Sequence, residues 1–116
     1  MKSYEPSRSP CPIGRASRIL GDRWVLLILR EAFLGVSRFE DFMARLPISR
    51  AALSSRLAMM CEAGILERDP PEAKRAAYRL TASGKALEPT YRSINAWSTQ
   101  HLYQGDEKPV DWGAQD

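Results

Sequence analysis

The sequence is poor in the residues that build cross-linked and metal-bound folds. It has two cysteines, Cys11 and Cys61, and one histidine, His101. Two thiols make no disulfide framework, and these two show no metal-ligand spacing. His101 has no second histidine and no cysteine nearby in sequence, so neither a metal nor a cofactor is expected. Long apolar runs are also missing. The longest aliphatic run is VLLIL, residues 25–29, far short of the roughly 18 residues of a membrane span. The opening MKSYEPSRSP lacks the apolar centre of a signal peptide. The expected location is cytoplasmic, with no membrane partner.

What is present suits a small globular domain. At 116 residues and 44% apolar content, the chain has the length and composition for one domain with one modest core. The net charge of +3 is unevenly spread. Residues 1–80 carry 14 basic and nine acidic side chains, whereas residues 81–116 carry three and five. The basic excess is mostly arginine, whose planar fork suits phosphates and base edges. By composition alone, a solvated surface and a polyanion site remain equally open.

Helical spacing begins after an arm over residues 1–10 that is expected to be flexible. Ile13, Ala16, Ile19 and Leu20 predict a first helix, closed by Gly21. Asp22 can cap a second helix, RWVLLILREAFLG, apolar on nearly all sides and therefore central. Arg38 and Phe39 read as a scrap of strand. Phe39, Phe42, Met43 and Leu46 then predict a third helix ended by Pro47. Ser49 is a good N-cap for a fourth, which Gly64 stops. The short link between these two makes a helix-turn-helix candidate. ILERD and AAYRL, around the polar loop PPEAKR, predict a β-hairpin. Thr81 caps a long final helix with a stripe of Leu87, Tyr91, Ile94, Trp97 and Leu102, kinked or restarted at Pro89. The acidic tail over residues 104–116 is expected to be frayed. The order is that of a winged helix: mainly α, with a small β-hairpin wing, in one domain over residues 11–103.

The fourth helix carries the chemistry of interest. One face holds Leu53, Leu57, Met60 and Cys61. The other holds Arg50, Ala51, Ser54, Ser55 and Ala58, with no acid until Glu62. Such a face can enter the DNA major groove, because nothing on it is bulky or acidic. Arg50 can grip guanine or a phosphate, Ser54 and Ser55 can hydrogen-bond, and Ala51 permits close approach. Backbone N–H groups near Ser49 can bind phosphate. Lys74 and Arg75 at the hairpin tip fit a phosphate strand, with Arg68 and Arg79 behind them. Arg56 either reaches a phosphate or pairs with Glu40, Asp41 or Glu62. Arg38 either contacts phosphate or is structural.

Cys11 lies in SPCPIG at the mouth of the first helix. A helix N-terminus activates thiols, while a small buried apolar residue is the ordinary alternative. Cys61 reads as core. A thiol enzyme would need a partner for Cys11, and neither a Cys-x-x-Cys nor a nearby histidine supplies one, so no enzyme is expected. A winged-helix module that binds protein rather than DNA also stays open.

The segments CPIGRASRILGDRWVLLILREAFLGVSRFEDFMARLPISRAALSSRLAMMCEAGILERD, YRLTASGKAL and INAWSTQHL carry a further signal. Together they resemble the HxlR-type, MarR-like transcriptional regulators of bacteria, over roughly four fifths of the chain. The resemblance rests on the Cys-Pro opening, Gly21 with Trp24 and LLILRE, Arg38-Phe39, and Leu46-Pro47-Ile48-Ser49. Ser54 with Arg56-Leu57, Glu62-Ala63-Gly64, and Tyr78 with Leu80-Thr81 and Gly84 complete it. It implies a homodimer that binds a pseudo-palindromic duplex and switches transcription, with dimerisation through the first and last helices. It also implies a sensing role for Cys11 toward electrophiles or oxidants, or else a small-molecule effector. The family often has a basic residue at the position of Ala51; here the arginine stands at Arg50.

Overall fold

A computed structural model describes residues 4–110. Parts of the expected N-terminal arm and C-terminal tail, residues 1–3 and 111–116, lie outside the described residues. The elements run α1 (Pro12–Leu20), α2 (Arg23–Phe33), α3 (Phe39–Arg45), α4 (Arg50–Glu62), β1 (Leu66–Asp69), β2 (Ala77–Leu80), α5 (Ala82–Lys85) and α6 (Glu88–His101).

Local chemistry sets most boundaries. Asp22 caps α2 by accepting from Trp24 N–H at 2.8 Å and Val25 N–H at 3.3 Å. Ser49 caps α4 by accepting from Ala52 N–H at 3.1 Å, a cap worth about 1 kcal/mol. Gly64 ends α4 at φ +79°, a left-handed conformation that glycine adopts without a Cβ penalty. The chain then enters β1, which pairs antiparallel with β2 in the register Leu66↔Leu80 to Asp69↔Ala77.

One sequence expectation is corrected. Arg38 and Phe39 form no strand. Arg38 has extended backbone, φ −96° and ψ 142°, because it is the N-cap of α3, and Phe39 is the first helical residue. Glu40 and Asp41 fill that first turn, where acidic side chains favour a helix start. The final helix is interrupted and restarts at Pro89, the second of the two outcomes the sequence offered. The short α5 ends at Lys85, and Pro89 sits in the first turn of α6. Proline has no N–H to give and its ring blocks the preceding turn, so it begins a helix better than it continues one.

The core lies where α2, α3, α4 and β1 converge. Val25, Ile28, Leu29, Phe42, Leu53, Leu57 and Met60 are fully buried, and Leu66 nearly so. Each such side chain contributes about 1.5–3 kcal/mol on leaving water. α2 is central, as its all-round apolar sequence implies. Thr81 fastens the end of α4 and the start of β1 to α5. Its hydroxyl lies 2.5 Å from the Gly64 carbonyl and 3.0 Å from that of Ile65, and accepts from Gly84 N–H at 3.1 Å. A Cβ on Gly84 would strike the Ile65 carbonyl, so this close approach requires glycine. α1 buries no residue, and α6 buries only Tyr91.

Candidate nucleic-acid interface

The candidate surface is built on α4 and the wing. Leu53, Leu57 and Met60 anchor α4 inward. The outer side is left to Ser49, Arg50, Ala51, Ser54, Ser55 and Ala58, all exposed. This is the division the sequence predicted, and helical period is its cause. Ser49 spends its side-chain oxygen on the cap, so Ala52 N–H is already taken.

Arg50 does not extend freely into solvent. Its Nη2 donates to Glu40 Oε2 at 2.6 Å, and its guanidinium carbon lies 5.3 Å from the Phe39 ring centre. Arg56 turns the other way. Where the sequence suggested Glu40, Asp41 or Glu62 as its partner, its Nε and Nη2 each lie 3.2 Å from Asp22 Oδ2. Asp22 therefore caps α2 and holds the middle of α4 in one carboxylate. Burial pushes the Asp22 carboxyl up, but the N–H groups of Trp24 and Val25 and the Arg56 guanidinium outweigh it and hold it below the ordinary value.

The wing is a framed loop. Arg38 Nη1 donates to the Arg75 carbonyl at 2.7 Å. Arg68 Nη2 donates to the Ala73 carbonyl and, at 3.3 Å, to that of Lys74. Two arginines thus hold the tip from beneath by its backbone, which leaves the exposed side chains of Lys74 and Arg75 outside this frame. Arg79 pairs with Asp69 at 3.0 Å across the hairpin. Between the wing and α3 lies a groove of about 520 Å³, lined by Arg38, Phe39, Glu40, Lys74, Arg75 and Tyr78.

Sequence reasoning missed one buried charge. Glu31 is 2% exposed. It accepts from Arg30 Nε at 2.7 Å and from Arg45 Nε, tying α2 to the end of α3, the first helix of the helix-turn-helix. The signal was available: Glu31 lies three residues after Ile28 and so shares the inward face of α2, where an acid requires partners.

The remaining candidates divide. Cys11 is exposed. It is the N-cap of α1, its Sγ accepting from Gly14 N–H at 3.4 Å, while Arg15 donates Nε–H to the Ser9 carbonyl at 2.5 Å. Cys61 is half-buried, and burial pushes its thiol up despite Arg68. The α6 stripe splits. Tyr91 is buried, with its hydroxyl donating to the Leu26 carbonyl at 2.8 Å, and burial pushes that phenol well above its usual range. Leu87 packs on the core edge. Ile94, Trp97 and Leu102 are 43%, 56% and 60% exposed. Among the described residues, no group of three or more His, Cys, Asp or Glu could hold a metal, and no helix is long and apolar enough to cross a membrane.

This geometry has close relatives. The HxlR-like helix-turn-helix family model matches residues 19–106. An HTH-type transcriptional regulator of Mycobacterium tuberculosis is 41% identical over 84% of this chain and 63% of its own length. YvaP, an HTH-type transcriptional regulator of Bacillus subtilis, is 39% identical over 79% of this chain and 89% of its own. Among solved structures, PA1607, described as a candidate transcription factor, superposes with a TM-score of 0.83 at 35% identity, over 89% of this chain and 73% of that one. The reduced form of the transcriptional regulator YodB from B. subtilis gives 0.71 at 31% identity, over 84% and 100%. The chain thus spans under two thirds of the mycobacterial relative and nearly all of YvaP. With its helix-turn-helix, its hairpin wing and these matches, the chain belongs to the HxlR-like helix-turn-helix family of transcriptional regulators.

Proposed function

We propose that this chain acts as a homodimer that binds a pseudo-palindromic DNA duplex and regulates transcription. The observation that carries the reading is the surface of α4: Arg50, Ala51, Ser54 and Ser55 exposed on one side, beside a groove lined by Arg38, Lys74 and Arg75. Arg50, Ala51, Ser54 and Ser55 read base edges, while Ser49, Lys74 and Arg75 hold phosphates. Arg38 serves phosphate through the wing it supports. Arg56, already engaged by Asp22, orients α4.

The second copy docks on α1 and α6. Exposed Ile94 lines an apolar groove with Leu26, Leu27 and Tyr91, Trp97 and Leu102 farther along are exposed too, and Ile13 on α1 is 76% exposed. Such a dimer sets two recognition helices about 34 Å apart, one DNA turn. The switch is a thiol event at exposed Cys11 or a small molecule. YodB, whose structure is described as a reduced form, supports asking about the thiol first.

The test is binding to the duplex upstream of the gene at two salt concentrations, with and without a mild thiol oxidant. Tight binding that weakens steeply with salt is expected, because phosphate contacts release counterions. Arg50→Ala should change sequence preference, and Lys74→Ala should weaken all duplexes alike. Loss of binding on oxidation in wild type, absent in Cys11→Ser, assigns the switch to the thiol. Binding indifferent to oxidant assigns it to a non-covalent ligand. An intact dimer with no DNA affinity at low salt would overturn the proposal.

A further inference from the structure

Glu40 has a second position besides its place at a helix start. It stands in the first turn of α3, lines the groove between α3 and the wing, and is the only carboxylate among the described residues lining that groove. Every neighbouring charge there, from Arg38, Lys74 and Arg75, is positive. Beyond favouring the start of α3, a carboxylate lining a surface that holds only phosphate would be a cost, since its charge repels the backbone to be held.

Its contact explains what it can do. Glu40 Oε2 accepts from one terminal nitrogen of Arg50, and the Phe39 ring lies 5.3 Å from the guanidinium carbon. An arginine has five N–H donors in a rigid fork. Glu40 occupies one nitrogen, so donors remain for a second acceptor while the plane of the fork is held. Guanine presents two acceptors, N7 and O6, matched to such a fork. A lone phosphate has no matching requirement and finds the carboxylate beside it.

We propose that Glu40 is a specificity-determining residue of the DNA-binding face. It positions Arg50 for a guanine edge and penalises phosphate at the same point. This inference rests on the DNA-binding reading above. Exposed pairs of this kind are weak, worth up to about a fivefold change in an equilibrium. A bidentate guanine contact is worth about fivefold to 150-fold. The pair is therefore strong enough to bias Arg50 and too weak to withhold it from its base.

The experiment measures the full chain and its variants against two probes at low and moderate salt. One probe is a duplex selected from a random library by the wild-type protein; the other is a shuffled duplex of the same composition. Glu40→Gln keeps the shape of an exposed side chain and removes the charge. The shuffled duplex should bind about fivefold tighter at low salt, and the selected duplex should not gain, so their ratio falls by about fivefold. In an Arg50→Ala background, Glu40→Gln should leave the ratio unchanged, because the effect acts through Arg50. Equal gains on both probes would overturn the proposal, reducing Glu40 to general repulsion, and so would no change on either. Wild type that selects no duplex at either salt overturns the DNA-binding reading, and this inference with it.

Discussion

Two sets of elements treat their side chains in opposite ways. In α2, α3, α4 and the hairpin, the largest apolar groups are buried and several exposed charges are paired. Arg50 meets Glu40, Arg56 meets Asp22, and Arg79 meets Asp69. In α1 and α6, apolar groups lie open: Ile13, Ile94, Trp97 and Leu102. The first set builds its own core. The second exposes an apolar surface of the sort that marks an interaction site. A helix that buries one residue in fourteen, as α6 does, draws little stability from packing on the rest of this chain.

Leu57→Ala should break the core-building set most severely. Leu57 is fully buried, and emptying its site should cost about 3–4 kcal/mol, read by urea unfolding; a loss below about 1 kcal/mol would show that the core is not centred on α4.

Glu31→Ala should come next. It strands Arg30 and Arg45, and breaking a buried pair costs about 3–5 kcal/mol. Because both arginines are partly exposed, at 38% and 51%, about 2–3 kcal/mol is expected here. Full stability in the variant would mean that the α2–α3 tie is dispensable.

Trp97→Ala should sharpen the contrast, since it lies in the open set. Protomer unfolding measured at high dilution should barely move, whereas self-association should weaken by about tenfold. Sedimentation velocity reads this directly, and an unchanged association constant would remove Trp97 from the interface.

The smallest effect concerns pH. The Asp22 carboxyl titrates below its ordinary value, so its charged form stabilises the fold at neutral pH. That contribution is fully present above the unfolded-state pKa of about 3.9 and is lost as pH falls through the lower folded value. Asp22→Asn keeps a capping oxygen and removes the charge. Its stability should fall less than that of wild type as pH drops below about 4; identical acid profiles would show that Arg56 and the α2 cap do not depend on that charge.

Legibility in the sequence followed the distance over which each feature is decided. The caps Asp22, Ser49 and Thr81, the stop at Gly64 and the strands on either side of PPEAKR were all readable, because each depends on neighbours within a turn or two. The exposed set on α4 was readable for the same reason: helical period converts spacing into faces. The stripe through Leu87, Tyr91, Ile94, Trp97 and Leu102 was readable as a stripe only. Which members turn inward depends on where α2 lies, and the Leu26 carbonyl that receives the Tyr91 hydroxyl is far away in sequence.

By itself, then, the sequence determined the element order, the helix ends and the outward set Arg50, Ala51, Ser54 and Ser55, since backbone capping and periodicity are local. Only the tertiary structure decided which charges meet. Arg56 goes to Asp22, Arg50 to Glu40, Glu31 to Arg45, and Arg38 to the wing backbone. An arginine's long side chain can reach several carboxylates, and Coulomb attraction does not distinguish among them by sequence separation. The packing of α2 against α3 and α4 chooses the partner, by setting which groups come within hydrogen-bond distance.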